Sequence, residues 1–206
     1  LHVMNDLPSP LEFAAVKLAY RRVMRKNRRQ PNRAAPLTRD MLGKLLATCG
    51  DDLVGIRDRA LILLGFDSLA RVAELVAVQV AEVQGQRLLI PRSKADIAGL
   101  GRWVDLTEET NEALLDWINC ASLKSGAVFR RVRGGYVGPD PLDTGSIGRM
   151  LRARQKLVGI SDQRMLSGHS FRVGAAQDLL KTGHSEIEIM LKGGWRKSDA
   201  MVGYLR

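Results

Sequence analysis

Four side chains in the last third of the chain have the types and spacing that phosphoryl transfer needs. His169 and Arg172 are three residues apart. If they open a helix that continues through Val173 to Leu180, both leave the same face, at the end where backbone N–H groups favour an anion. Gly193-Gly194-Trp195 follows, and Tyr204 stands nine residues beyond Trp195. A phenol titrates at about pH 10 and is a poor nucleophile at neutral pH. Tyr204 therefore needs neighbours that stabilise phenolate and spread the charge gathering on phosphorus, and an imidazole and a guanidinium supply them. Upstream, Arg71 is followed three residues later by Glu74, a local partner able to hold the guanidinium fork rigid for a phosphate. Lys94, in Pro91-Arg92-Ser93-Lys94, falls on a turn between two strand-like segments, where a lysine usually faces solvent. Each pattern alone has a plainer reading: H-x-x-R is usually a surface pair, a near-terminal tyrosine usually packs, and Gly-Gly-Trp is usually a turn before a core aromatic.

The elements that must position these groups are mostly helical. Ser9 and Pro10 open a helix to about Arg29, with Leu11, Ala14, Ala15, Leu18 and Ala19 at core spacing. Its other face carries Lys17, Arg21, Arg25 and Arg28, a charge run that serves either as a solvated face or as a strip beside a nucleic-acid backbone. Thr38 caps a helix over Met41, Leu42, Leu45 and Leu46. A very apolar helix from about Val54 to Ser68 follows and is expected to be central, with Arg71 directly after it. Val80 to Ile90 and Arg102 to Leu106 alternate as a small antiparallel sheet with a turn at Gly85-Gln86. Helices resume over Thr107–Asn119 and about Ser146–Val158. Between them Phe129 to Tyr136 form a basic loop, either a solvated hairpin or, next to DNA, a source of non-specific phosphate contacts through Arg130, Arg131 and Arg133.

Composition narrows the partners. The 206 residues are 45% hydrophobic, enough for a real core, and carry a net charge of +10, which favours a phosphate-rich partner. There is no run of eighteen apolar residues and no signal-peptide pattern, so no membrane span is expected. Cys49, Cys120 and three histidines offer no metal-ligand spacing. The chain opens without Met, so a fragment is expected.

Taken as an ordered set, these residues resemble the tyrosine recombinase (phage integrase) family. Arg71-Val72-Ala73-Glu74-Leu75 is similar to that family's R-x-x-E-L motif, Lys94 to its hairpin lysine, and His169 with Arg172 to its H-x-x-R. Trp195 followed by Tyr204 is similar to its His or Trp with Tyr nine residues on. His184, in Gly183-His184-Ser185, resembles the same second-histidine position but lies twenty residues before Tyr204, too far to serve. The resemblance covers nearly the whole chain. It implies a mostly α fold with a small antiparallel β-sheet. Residues 1–35 would be the last helix of a core-binding domain plus a basic linker, and residues 36–206 the catalytic domain. It further implies DNA cleavage and rejoining through a 3′-phosphotyrosyl link, without metal, ATP or other cofactor. Tyr204 would be the nucleophile and Arg71 and Arg172 the phosphate clamps. Lys94 would be the acid toward the 5′ oxygen, His169 the acid or base, Trp195 an indole N–H and rigid wall, and Glu74 the orienter of Arg71 or His169. The implied partner is double-stranded DNA, with a tetramer on DNA for the full-length protein and no membrane. The implied location is the cytoplasm, on the nucleoid of a prokaryotic, phage or plasmid system. Two other readings share the fold: a DNA-binding protein that does not cut, and strand relaxation of the type IB topoisomerase kind. A plain helix-turn-helix regulator explains the charge but not the site residues.

Overall fold

Caps written into the sequence set most of the helix boundaries. A computed structural model describes residues 9, 13–26, 34–90, 101–160, 164–195 and 198–205. The chain divides into two compact units, residues 1–33 and 34–206. The first holds α1 (Ala14–Lys26). Arg21 is exposed on it and Arg25 lies within it, while the expected start at Pro10, together with Arg28, falls outside the described residues.

In the second unit the Thr38 hydroxyl accepts from the Met41 N–H at 3.3 Å and opens α2 (Arg39–Leu46). Asp52 accepts from the Gly55 N–H at 2.7 Å and opens α3 (Leu53–Asp67). Each such cap satisfies an orphan helix donor and contributes about 1 kcal/mol. Helix α3 is apolar almost all round, with Ala60 to Leu64 and Phe66 buried. A helix of that kind is stable only when surrounded. It packs against α2, α4 (Val72–Ala77), α5 (Glu108–Cys120) and α7 (His169–Lys181), which makes it the centre of the core.

Strands β1 (Val83–Gln84), β2 (Arg87–Ile90) and β3 (Arg102–Asp105) pair antiparallel in that order. Ile90 stands opposite Arg102, at the two ends of the connection that contains Lys94. Val80–Glu82 is a 3₁₀ turn rather than strand, because the Glu82 carboxylate reaches back to the Gln79 N–H at 2.6 Å. The basic segment forms a second, separate sheet: β4 (Arg130–Arg133) turns at Gly134-Gly135 into β5 (Tyr136–Pro141). Both glycines have positive φ, +56° and +78°, as a tight hairpin turn of matching twist demands. The chain finishes with α6 (Thr144–Leu157), α8 (Glu186–Gly193) and α9 (Ser198–Leu205). The fold is mostly helical, with small antiparallel sheets.

One buried ionic cluster staples the unit together. Asp58 of α3 holds Arg57 at 2.7 Å and Arg154 of α6 at 2.6 Å, and all three residues are buried. Arg154 also donates to the carbonyl and hydroxyl of Thr48, at 2.8 and 3.0 Å, and Arg57 donates to the Arg130 carbonyl at 3.3 Å. Helices α3 and α6, the turn after α2 and the base of the β4–β5 hairpin are thereby fixed to one carboxylate.

Candidate active site

The site begins at the turn that ends α3. The Ser68 hydroxyl donates to the Leu64 carbonyl at 2.6 Å and accepts from the Ala70 N–H at 3.2 Å. Leu69 between them is fully buried with φ +51°, a left-handed conformation that a branched side chain rarely adopts. Holding it there costs on the order of 1 kcal/mol or more. The turn aims the Leu69 carbonyl at Arg172, whose Nη1 donates to it.

Arg71 follows as the N-cap residue of α4. Glu74, three residues on, accepts from the Arg71 backbone N–H at 3.0 Å and from its Nη1 at 2.6 Å, so one carboxylate fixes both main chain and side chain. The sequence offered Arg71 or His169 as partners for Glu74. Here Glu74 takes Arg71 together with Arg102, which sequence reasoning missed. Burial pushes the Glu74 carboxyl up, but the Arg71 N–H, the charge of Arg102 and the Arg71 side chain outweigh it and hold it below the ordinary carboxylate value. Strand alternation was the available signal for Arg102: it falls on the same side of β3 as buried Val104, and a charge on a core-facing side needs a partner.

Helix α7 delivers His169 and Arg172. Arg172 is fully buried, and its Nε and Nη2 have no hydrogen-bond acceptor. Its guanidinium carbon lies 3.7 Å from the centre of the Trp195 ring and 5.6 Å from that of Tyr204, in cation–π contact with both. Burial, then the neighbouring charge of Arg71, push its pKa down to about 10. Two orphaned, charged donors in a buried site are costly unless an anion completes them.

Trp195 is set by the glycines before it. Gly194 caps α8 with φ +64°, and a methyl group on Gly193 would fall 1.9 Å from the Trp195 ring. Trp195 contributes the wall expected of it, through its ring face on Arg172. Helix α9 then carries Tyr204 back to α7. Gln177 Nε2 donates to the Tyr204 carbonyl at 3.1 Å, and the Tyr204 hydroxyl lies 2.7 Å from His169 Nε2. The Tyr204 ring sits 5.1 Å from both the His169 and Trp195 rings, edge-on to the latter. His169 as a residue is exposed, yet partial burial of its ring, then the charges of Arg172 and Arg71, hold its pKa below the usual 6.5. At neutral pH its imidazole is uncharged, able to accept the phenol proton.

Arg71, Glu74, His169, Arg172, Trp195 and Tyr204 thus form one connected cluster, and Lys94 lies outside the described residues. Arg130 is engaged locally, donating to the Ala127 carbonyl at 2.8 Å and to the Ser125 carbonyl. Arg131 and Arg133 are exposed and line an open groove of about 250 Å³ with Tyr136 and Asp140. His184 is exposed between α7 and α8, 3.2 Å from the Thr182 hydroxyl. Among the described residues no three His, Cys, Asp or Glu side chains group as metal ligands, and no helix is long and apolar enough to cross a membrane.

The phage integrase family matches residues 36–206, over the whole stretch that holds this cluster. The chain belongs to that family. Recombinase Cre of Escherichia phage P1 is 30% identical over 230 residues, covering all of this chain and 67% of Cre. The fold is that of crystallised recombinases. XerA recombinase superposes with a TM-score of 0.71 at 22% identity, over 87% of this chain and 61% of XerA. XerH site-specific recombinase bound to its difH substrate superposes with a TM-score of 0.64 at 16% identity, over 84% of this chain and 50% of XerH. The chain therefore spans about one half to two thirds of these relatives' lengths. A tyrosine hydroxyl on a histidine, beside a buried arginine with two unpaired donors, is what this integrase-family member has available for chemistry.

Proposed function

We propose that this chain is the catalytic part of a site-specific recombinase that cuts and rejoins double-stranded DNA through a 3′-phosphotyrosyl intermediate. The observation that carries the reading is the Tyr204 hydroxyl, 2.7 Å from His169 Nε2, on a ring that lies against a buried arginine with two unfilled donors. In the first step the Tyr204 oxygen bonds to the scissile phosphorus as the bond from phosphorus to the 5′ oxygen breaks. The phenol proton passes to neutral His169, and Lys94 gives a proton to the departing 5′ oxygen, leaving a free 5′-hydroxyl. Arg71 and Arg172 neutralise the non-bridging oxygens, Glu74 keeps Arg71 aimed, and Trp195 keeps Arg172 flat and screened from water. A 5′-hydroxyl from a second strand reverses these steps. The covalent link conserves the energy of the broken phosphodiester, so ATP is not consumed.

Residues 1–35 serve as the last helix of a core-binding domain and its linker, and residues 36–206 as the catalytic domain. In the full-length protein four copies assemble on paired DNA sites, in a cytoplasmic, nucleoid-associated setting. Arg21, Arg25, Arg28, Arg131 and Arg133 contribute contacts to the DNA backbone, and Arg130 shapes the hairpin that presents the last two. The test is incubation with a nicked suicide duplex, which after cutting loses the short fragment bearing the freed 5′-hydroxyl, followed by a denaturing gel. A protein–DNA adduct that forms in EDTA is expected, since Arg71, Arg172 and Lys94 carry the positive charge a metal would bring. Formation of the adduct only with magnesium would contradict the reading.

A further inference from the structure

We propose that Arg102 is a positioning residue of the same reaction, a single guanidinium that fixes relative to one another the carboxylate that holds Arg71, the turn that receives Arg172 and the helix end before Trp195. The inference rests on the reading of Tyr204 as the nucleophile. Arg102 donates from Nη1 to Glu74 Oε2 at 3.2 Å, from Nε to the Lys192 carbonyl at 2.9 Å, and from Nη2 to the Ser68 carbonyl at 3.4 Å. Glu74 holds Arg71. Ser68 precedes Leu69, whose carbonyl receives Arg172, and Lys192 stands in the last turn of α8, three residues before Trp195. The contact with that turn is close: a methyl group on Gly194 would lie 3.3 Å from Arg102 Cδ.

Its place in the chain adds a fourth link. Arg102 pairs with Ile90 across β2 and β3, at the foot of the connection that carries Lys94. The residue that closes this strand pair therefore also ties down the carboxylate that holds Arg71, the turn that receives Arg172 and the end of α8 before Trp195. A planar fork with donors in three directions suits this task, and a lysine ammonium on a flexible stem does not. Its side chain is 17% exposed, so burial holds it in the fork geometry rather than in water. Arg71, Arg102 and Arg172 surround one carboxylate, and sharing Glu74 with Arg102 sets how that carboxylate presents Arg71.

The experiment compares wild type, Arg102→Gln, Arg102→Lys, Glu74→Gln and the Glu74→Gln, Arg102→Gln double variant. Single-turnover cleavage of the suicide duplex at saturating DNA is measured, with thermal unfolding and DNA affinity on the same samples. The single variants of Arg102 should fold and bind DNA as wild type does, yet cleave about 10- to 100-fold more slowly, the cost of a small misplacement of reacting groups. The double variant should lose less than the two single losses combined, because both changes act in part through Arg71. Carbon-detected titration of the Glu74 carboxyl without DNA is the second readout. In Arg102→Gln, Arg71 remains its only bonded cation, with Arg172 beyond, and burial should move its midpoint upward. Wild-type cleavage rates in folded Arg102 variants, additive losses in the double variant, or an unmoved Glu74 midpoint would each overturn the role. If Arg102→Gln does not fold, Arg102→Lys carries the same comparison. Absence of an adduct in wild type would count against the Tyr204 reading, while the Glu74 titration would still report on Arg102.

Discussion

Two clusters of buried arginine sit on opposite uses of the same chemistry. Around Asp58, Arg57 and Arg154 are paired with one carboxylate and with carbonyl and hydroxyl oxygens of Thr48 and Arg130, and none of their side-chain nitrogens is left buried without a partner. Around Glu74 three arginines crowd one carboxylate and not every donor finds an acceptor. Arg172 keeps Nε and Nη2 unpaired, and its flat faces meet the rings of Trp195 and Tyr204 instead of oxygen. A saturated cluster holds elements together. An unsaturated one, over-charged and next to the proposed nucleophile, suits an anion that arrives later.

The largest expected effect separates the two. Arg172→Lys should lower the rate of covalent adduct formation on the order of 10³-fold, since a point charge replaces a planar fork on the transferring phosphoryl group, and the unfolding midpoint should fall little. A rate within tenfold of wild type would remove Arg172 from the reaction. Asp58→Asn should do the reverse. It leaves two buried guanidinium groups with no counter-charge, for a loss of about 3–5 kcal/mol in stability, while folded protein at low temperature still cleaves. Calorimetry beside the adduct assay checks both halves, and equal stability losses in the two variants would erase the contrast.

A smaller effect concerns the hairpin that the Asp58 cluster anchors. Replacing Arg130, Arg131 and Arg133 together by Ala should flatten the plot of log affinity against log salt, by about 0.9 for each phosphate no longer neutralised. Arg131 and Arg133, exposed at the groove, should account for the change, and Arg130→Ala alone should leave the slope unaltered because that side chain is spent on Ala127 and Ser125. An unchanged slope in the triple variant would return the hairpin to solvent.

How much of this was legible depended on how far apart in the chain the partners lie. Helix caps at Thr38, Asp52 and Thr107 act across three residues, and α2, α3 and α5 begin where their sequences indicate. The order Arg71, His169, Arg172, Trp195, Tyr204 could be read because each residue sits at a fixed offset on or beside a helix. For Arg102 the sequence carried only the alternation of β3, and the partners it reaches depend on β3 pairing with β2 across an eleven-residue connection. The Asp58 network was equally hidden, as Arg154 lies 96 residues away. Nothing in an apolar run announces that Leu69 takes φ +51°. The basic segment forms the hairpin that its sequence allowed, because Gly134-Gly135 supplies a tight turn between residues that pair.

The smallest expected shift is at His169. Burial, Arg172 and Arg71 all disfavour its charged form, so its midpoint in the free protein should lie below 6.5 by proton NMR. The neutral ring that accepts the Tyr204 proton is then full at pH 7 and above and is lost as pH falls through that midpoint, taking the cleavage rate with it. A midpoint at or above 6.5 would mean that the arginines do not act on the ring.

The most direct measurement is the identity of the residue that carries the DNA. After trapping on the suicide duplex, nuclease trimming and proteolysis, mass spectrometry should find a nucleotide on Tyr204, joined through its 3′ phosphate, and Tyr204→Phe should bind the same DNA with equal affinity and give no adduct. A nucleotide on any other side chain, or an adduct persisting in Tyr204→Phe, would contradict the account.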